Sequence, residues 1–224
     1  MTSGATPVPL RYGSDQVEGW PDLVAPTRGE LGAAFRALRR AGVAAVAVDP
    51  AEVALARQLL DGFPAPVVAL ISAPLGAMTS GSRVAQAELA LADGADELAV
   101  AMDPSLVRSG KLGRAVAELS PLRRLAAGRT LRVICHLALL GPDLGAEAAA
   151  GGVDGGADLV MTNSHFDGEV TVEQVVAVRR RVGQRIPLVA SGGVAATSQA
   201  AQLLLAGATR VAVGWSGFCG EPSP

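Results

Sequence analysis

The side chains best suited to acid–base chemistry in this sequence are its only two histidines, His136 and His165. Each follows a short apolar run, and an imidazole with a pKa of about 6.5 exchanges protons at neutral pH. The alternative for either one is a hydrogen-bonded histidine that fills volume in the core. Asp103 follows a third apolar run. It is either a carboxylate that takes part in acid–base chemistry or the cap of a helix. The single lysine, Lys111, lies in a Ser-Gly-Lys-Leu-Gly loop, where we expect a solvated ammonium group.

A glycine-rich segment, Ala-Ser-Gly-Gly-Val at 190–194, is a candidate for binding an anion. Two consecutive glycines bring backbone N–H groups close to an anion at the start of a helix. A tight turn with a purely structural role explains the same residues, so both interpretations stay open. The two histidines and Asp103 match no ligand spacing that is typical of a metal site. We therefore expect no metal and no cofactor.

The elements that must position these residues alternate regularly along the chain. Short runs rich in Val and Ile predict eight strands, near Asp22–Ala25, Val43–Asp49, Val67–Ala73, Glu97–Met102, Leu131–Ala138, Leu159–Asn163, Leu188–Ser191 and Arg210–Val213. Capped or amphipathic segments between them predict helices at about 27–40, 51–61, 80–92, 113–127, 143–151, 171–182 and 196–206. This order fits an open doubly wound sheet or a closed eightfold barrel.

The barrel is favoured because the repeating unit has about 25 residues and no Gly-x-Gly-x-x-Gly follows the first strand. The predicted fold class is therefore α/β, a single (β/α)8 TIM barrel over residues 22–217. Residues 1–21 mix Pro, Gly, Ser and charge without periodicity, which predicts a flexible N-terminal arm, and residues 218–224 form a C-terminal tail. In such a barrel the chemistry lies at the carboxyl ends of the strands, where both histidines fall.

Composition excludes several classes of function. The chain has 224 residues, 50% of them apolar, and a net charge of −2, which gives no footprint for nucleic acid or anionic lipid. No apolar run reaches the ~18 residues that a membrane-spanning helix needs. Two cysteines make no disulfide framework, so a cytoplasmic protein is the expectation. We expect a small-molecule ligand, no nucleic-acid or membrane partner, and a possible homodimer.

Several segments, taken in order, resemble the deoxyribose-phosphate aldolase family. They begin with Ala-Gly-Val-Ala-Ala-Val-Ala-Val-Asp-Pro at 41–50 and Ala-Pro-Leu-Gly-Ala at 73–77, and continue with Gly-Ala-Asp-Glu at 94–97. Val133-Ile134, Gly-Ala-Asp at 156–158, Ala-Ser-Gly-Gly at 190–193 and Ala-Gly-Ala-Thr-Arg at 206–210 complete the match. The resemblance implies a (β/α)8 barrel. It also implies a lyase that cleaves deoxyribose 5-phosphate through a lysine Schiff base.

The catalytic positions of the family do not carry over. Where the family has its Schiff-base lysine this chain has Met161, and where it has a second lysine this chain has Val189. The acid–base aspartate of the family corresponds to Ala99. A Schiff base needs an amine whose pKa is lowered by burial or by a neighbouring cation, and these residues provide none. Apolar replacements also favour a pocket for something less polar than a sugar phosphate.

The resemblance also implies which side chains face the barrel interior. Glu97 and Arg132 are expected to form a buried ion pair low in the barrel, and His136 and His165 to project into its mouth. The residues at the family's substrate- and phosphate-binding positions are Asn163, Ser191, Gly192, Gly193, Trp215 and Ser216. Trp215 replaces a serine of the family pattern and is expected to cover or block the phosphate site.

Three functional hypotheses follow. The first is a repurposed enzyme that uses His136, His165 and Asp103 for lyase-, isomerase- or cyclase-type acid–base chemistry on a small carbonyl or phosphorylated metabolite. The second is a pseudoenzyme, a catalytically inactive aldolase paralogue that binds a ligand or a partner. The third is a residual aldolase with a relocated nucleophile, for which Lys111 is the single lysine candidate.

Overall fold

The structure is a computed structural model, and it describes residues 15–23 and 25–215. Eight parallel strands close into a barrel in the order β1 to β8. They are β1 (Val17–Trp20), β2 (Ala45–Val48), β3 (Val67–Ile71), β4 (Glu97–Ala101), β5 (Leu131–Ile134), β6 (Leu159–Met161), β7 (Leu188–Ala190) and β8 (Arg210–Gly214). The predicted closed barrel is confirmed, and strands β2 to β8 fall on the predicted runs.

Helices follow the strands and cover the outside of the barrel. They are α1 (Arg28–Ala41), α2 (Val53–Leu59), α3 (Ser80–Ala92), α4 (Pro104–Arg108), α5 (Leu112–Ala117), α6 (Leu119–Leu125), α7 (Leu137–Leu140), α8 (Pro142–Asp154), α9 (Val172–Val182) and α10 (Thr197–Leu205). The caps explain why the starts of α1 and α9 were visible in the sequence. Thr27 with Glu30, and Thr171 with Gln174, each form a reciprocal capping box.

The first strand corrects the sequence interpretation. It occupies Val17–Trp20, inside the predicted arm, whereas a strand was expected at Asp22–Ala25. A charged Glu18 and a Gly19 hide the strand pattern, because neither residue favours an exposed strand. Tertiary contacts explain both residues. Glu18 is buried among arginines, and any side chain at Gly19 would overlap Leu38 of α1. The rest of the arm, residues 1–14, and the C-terminal tail lie outside the described residues.

The strands separate two apolar regions. A large outer core fills the space between the strands and the helices, as strands buried on both faces require. The smaller inner region, here called the lumen cluster, consists of Ala45, Ala47, Val68, Leu70, Ala99, Ala101, Ile134, Leu159, Met161, Val189 and Ala212. Strand alternation thus places Ala99, Met161 and Val189 inside the barrel, as the resemblance implied.

An ion-pair network closes the base of the barrel. The fully buried Arg132 places Nε 2.6 Å from Glu97 and Nη1 2.6 Å from Glu18, and Arg210 contacts the other oxygen of Glu18 at 3.1 Å. Burial by itself lowers the pKa of Arg132, but the charges and hydrogen bonds of Glu18 and Glu97 outweigh it and raise the pKa. The predicted pair of Glu97 and Arg132 is confirmed, and Glu18 is an additional member.

Across residues 15–23 and 25–215, no helix combines the length and the apolar character needed to cross a membrane.

Candidate active site

A cavity of about 260 Å³ opens at the mouth of the barrel, the end formed by the carboxyl ends of the strands. This is the end at which barrels of this class place their chemistry. The cavity is lined by residues that follow β2, β3 and β6 together with side chains of the lumen cluster: Asp49, Leu70, Ala73, Pro74, Ile134, Met161, Asn163, Ser164, His165 and Phe166. Most of the wall is apolar, and a few polar groups converge on it.

The Asn163 amide is held in one orientation at the cavity wall. Asn163 is fully buried, and its Oδ1 accepts the backbone N–H of Ala138 at 2.8 Å. Its own backbone is fixed by Ser191, whose Oγ accepts from Asn163 N at 3.2 Å and donates to Asn163 O at 2.6 Å. The Asn163 Nδ2 has no hydrogen-bond partner among the described residues. Asn163 therefore contributes to the cavity wall and carries a buried amide donor without a described partner.

His165 lies at the mouth in a stack with Trp20 of β1. The two ring centroids are 3.3 Å apart, the rings are inclined by 11°, and Phe166 meets Trp20 edge-on at 6.2 Å. Part of the imidazole still reaches solvent, but the protein that surrounds it lowers the pKa of His165 to about 3 by desolvation. At neutral pH His165 is consequently uncharged and offers one ring N–H and one acceptor nitrogen.

Asp49 provides the carboxylate of the cavity. It directly follows β2 and is exposed to solvent on one side, and desolvation by the surrounding protein raises the pKa of its carboxyl group. Glu52, one turn further on, also has a raised pKa, first from desolvation and second from the charge of Asp49. The sequence places Asp49 at a strand end, which is the signal that marks it; only the cavity shows that it shares a site with Asn163 and His165.

His136 is placed away from the cavity. Its side chain is fully buried, and its Nδ1 contacts the carboxylate of Asp167. The other Asp167 oxygen accepts from Ser164 at 3.0 Å, so the loop after β6 is tied to the end of β5. The backbone of His136 is left-handed, with φ 54°, which interrupts the strand alternation used to predict its direction. The two histidines therefore do not line the cavity together, and Asp167 was not found from the sequence.

A buried arginine supports the loop that follows β3. Ala73 and Pro74 of this loop line the cavity, and the next turn is held by Arg83 of α3, which donates to the carbonyl of Gly76. Arg83 also lies 3.2 Å from Glu118, and its side chain is almost entirely buried. The cavity wall at β3 is thus fixed from outside the barrel.

Comparison with known proteins identifies relatives among the aldolases. The deoxyribose-phosphate aldolase of Micrococcus luteus is 35% identical over 182 residues, which cover 77% of this chain and 80% of that protein. The deoxyribose-phosphate aldolase of Brevibacillus brevis is 33% identical over 167 residues, or 74% and 76% of the two chains. The chain belongs to the deoxyribose-phosphate aldolase family. The resemblance seen in the sequence is thereby confirmed.

Solved structures of aldolases share the fold. The aldolase QR15 matches with a TM-score of 0.85 at 26% identity and 92% coverage of both chains. The tetrameric deoxyribose phosphate aldolase of Aeropyrum pernix matches with a TM-score of 0.77 at 21% identity, covering 92% of this chain and 88% of that one. No family model matches the chain.

Against this family background, the lumen positions are informative. Met161 and Val189 are register partners on β6 and β7, and Ala99 lies on β4 in the same lumen cluster. All three side chains are apolar and essentially fully buried. Lys111 is exposed at the start of α5 and is not part of the cavity lining.

Two other predicted site residues have local roles. Asp103 accepts the backbone N–H of Ser105 at 2.8 Å and caps α4, so the geometry fits the cap rather than a displaced carboxylate. Trp215 is not among the residues that line the cavity, and it packs against the outer core; its predicted role at a phosphate site stays a prediction. The tryptophan at the mouth is Trp20. Ser216 lies outside the described residues.

The glycine turn after β7 is packed against the loop after β6. The carbonyl of Gly192 accepts the backbone N–H of Val170 at 3.0 Å, and the carbonyl of Gly168 lies where a side chain at Gly192 would be. Gly192 and Gly193 both have positive φ, 108° and 64°. Ser191 is likewise engaged with Thr162 and Asn163. These contacts fit the structural interpretation of the turn.

Proposed function

We propose that this chain catalyses proton transfer at the carbon next to a carbonyl group of a small molecule, without a lysine Schiff base. The observation that carries the proposal is the fixed, buried and unpartnered Nδ2 of Asn163 at the cavity. An unsatisfied buried donor costs about 1–3 kcal/mol, which a ligand oxygen accepting from it would remove. A preorganised donor also stabilises negative charge that develops on a carbonyl oxygen.

Asp49 is the base in this proposal. Its carboxylate takes a proton from the α-carbon, the C–H electron pair forms a C=C bond, and the carbonyl π pair moves to oxygen. The resulting enolate oxygen accepts the hydrogen bond from Asn163. Return of the proton from Asp49 regenerates the starting compound, whereas protonation of the opposite face by water gives its stereoisomer. Neither step needs an oxidant, reductant or cofactor. The raised pKa of Asp49 supports this role, because it brings the base closer to neutral pH.

The same enolate allows a lyase-type outcome. The C=O bond re-forms, and the enolate C=C electron pair makes a new C=C bond to the next carbon. A group on that carbon leaves with its bonding electron pair and accepts the proton that Asp49 had taken. In this proposal His165, which lines the cavity and is neutral at pH 7, donates a hydrogen bond to the carbonyl or to the leaving group without introducing charge. We assign His136 a positioning role, because through Asp167 it braces the loop that carries His165.

The absence of Schiff-base chemistry is part of the proposal. The buried lumen positions Ala99, Met161 and Val189 supply neither an amine nor a charged partner, and Lys111 is exposed outside the cavity. A Schiff base has to form where the substrate binds, and the amine of Lys111 lies at the surface outside the cavity lining.

Deuterium exchange tests the proposal directly. Acetone, hydroxyacetone and 4-hydroxyacetophenone in D₂O would be followed by NMR for loss of the protons next to the carbonyl. We expect acceleration over buffer for at least one of them. Asp49→Asn is expected to lower the rate about 10²–10⁴-fold and Asn163→Leu about 10²–10³-fold.

The matched control is Asp103→Asn, which removes a carboxylate of the same barrel end that caps α4 and does not line the cavity. Its exchange rate should equal that of the unmodified chain. Exchange that persists unchanged in Asp49→Asn would refute the assigned base. Exchange no faster than buffer for all three compounds would refute the proposed activity.

A ligand-binding paralogue without catalysis is the second candidate, and the apolar lumen cluster favours it. Saturable binding of the same ketones without any accelerated exchange would support this alternative. We propose a homodimer whether the chain is an enzyme or a ligand-binding protein, and light scattering on the purified chain tests this assembly.

A further inference from the structure

We infer that the cavity takes an uncharged, largely apolar carbonyl compound and rejects phosphorylated ones. This inference names the substrate class of the proposed function and rests on it. In barrels of this architecture, phosphate groups are bound by the loops after strands seven and eight. At both of these places the described residues include an acidic side chain that packs against a glycine.

The first carboxylate belongs to Glu169 and lies beside the turn after β7. A Cβ added at Gly193 would come within 2.6 Å of Glu169 Cγ, so this side chain lies directly against the glycine. The neighbouring Gly192 is covered by the carbonyl of Gly168. An anion bound at this glycine turn would therefore lie near an acidic side chain and a carbonyl oxygen, and both would repel it.

The second carboxylate belongs to Asp22 and lies at the end of β8. Its side chain packs against Gly214 so closely that any side chain at that position would collide with the carboxylate oxygen. Asp22 lies two residues after the end of β1, so this contact joins the two strands at the seam where the barrel closes. The carboxylate of Asp22 therefore lies at the strand-eight position, as the side chain of Glu169 lies at the strand-seven position.

The cavity itself has no compensating positive charge. Among its described lining residues there is no lysine or arginine, and the charged group is the carboxylate of Asp49. Its walls are Leu70, Ile134, Met161 and Phe166, and the last of these is 68% exposed beside Trp20. A dry apolar cavity of about 150 Å³ holds benzene, so about 260 Å³ admits one ring with a short substituent.

Two matched probes test the inference by titration calorimetry on the whole chain. 4-Hydroxyacetophenone and its phosphate ester, 4-acetylphenyl phosphate, share the ring and the carbonyl and differ in the phosphate. We expect the uncharged ketone to bind more tightly by at least about tenfold, the effect of one unfavourable charge contact. Glyceraldehyde 3-phosphate and inorganic phosphate should show no saturable binding under the same conditions.

Charge removal then tests the cause of the selectivity. Glu169→Gln is expected to narrow the affinity ratio of the two probes, and Asp22→Asn combined with it should narrow the ratio further. Glu173→Gln is the control, because Glu173 is also an exposed acid, in the first turn of α9, and is not among the groups nearest to Gly192 or Gly193. That variant should leave the ratio unchanged, and Glu169→Gln remains informative if Asp22→Asn does not fold.

Equal or tighter binding of the phosphate ester would overturn the inference, as would the absence of saturable ketone binding. An affinity ratio that Glu169→Gln leaves unchanged would overturn the assigned cause. Failure of the proposed function is distinguishable, because the inference is measured as binding and the function as exchange. Tight ketone binding without exchange would sustain the inference and refute the activity.

Discussion

Trp20 and His165 lie face to face at the barrel mouth, with ring centroids 3.3 Å apart and planes inclined by 11°. Trp20 ends β1 and His165 follows β6, so this stack joins elements from opposite parts of the sequence. It removes water from one face of the imidazole and so contributes to the desolvation that lowers the pKa of His165 to about 3. The stack also sets one wall of the entrance to the cavity.

The His165 pKa predicts a pH dependence of stability. The folded chain keeps His165 neutral down to about pH 3, whereas in the unfolded chain it takes up a proton at about pH 6.5. Between these two pH values the unfolded state binds more protons than the folded state. The stability that neutral His165 contributes is therefore fully present above pH 6.5 and is lost as the pH falls towards 3. Over this range the free energy of unfolding changes by at most about 1.4 kcal/mol per pH unit, and the solvent contact of the His165 ring reduces this change.

Urea unfolding at pH 7 and pH 5 measures this effect. We expect the unmodified chain to lose more stability over that interval than His165→Gln. The carboxyl groups contribute equally to the pH dependence of both chains, so the difference reports His165. Trp20→Leu should raise the His165 pKa towards 6.5 in an NMR titration, which is simple to assign with two histidines in the chain. Parallel stability curves for the unmodified chain and His165→Gln would contradict the assignment.

The buried contact between His136 and Asp167 predicts a structural cost when either partner is changed. His136→Gln and Asp167→Ala should each lower the free energy of unfolding by about 1–3 kcal/mol, because the remaining partner loses a buried hydrogen bond. The His165 ring signals should also shift in both variants, since the loop that carries this ring loses its anchor. Asp154→Asn, an exposed carboxylate at the end of α8, is the control and should stay within about 0.5 kcal/mol.

The ion-pair network at the base predicts a larger loss. Arg132→Met leaves Glu97 and Glu18 without their shared buried partner and should lower stability by about 3–5 kcal/mol. Arg57→Met is the matched control, since Arg57 pairs with Asp96 at the surface and its loss should cost about 0–1 kcal/mol. Adding Glu18→Gln and Glu97→Gln to Arg132→Met should recover part of the loss. A similar cost for both arginines would show that burial of the network adds nothing.

Borohydride trapping checks the absence of a Schiff base. Acetaldehyde or deoxyribose 5-phosphate with borohydride should leave no stoichiometric adduct inside the barrel, as measured by peptide mass mapping. Met161→Lys should still not cleave deoxyribose 5-phosphate, because Ala99 supplies no acid–base group and Val189 no second cation. An adduct that maps stoichiometrically to Lys111 would contradict this prediction, whereas an adduct at the terminal amine reports general amine reactivity.

The sequence by itself determined the barrel and most of its elements. Strands β2 to β8 are recognisable because their Val- and Ile-rich runs are buried on both faces. The helix predicted at 80–92 matches α3 at both ends. The start of α1 was visible because a capping box is a local pattern of four residues. Such features depend on neighbours in sequence, so they are readable without a structure.

Tertiary structure alone decided the first strand and the composition of the site. Val17–Trp20 looks like a polar arm because Glu18 is buried by partners more than a hundred residues away, Arg132 and Arg210. Asp167 is joined to His136 across 31 positions of the chain, and Asp49 reaches the same cavity as Asn163 from four strands away. Burial and charge pairing between distant segments leave no local periodicity, and for that reason only the closed barrel reveals them.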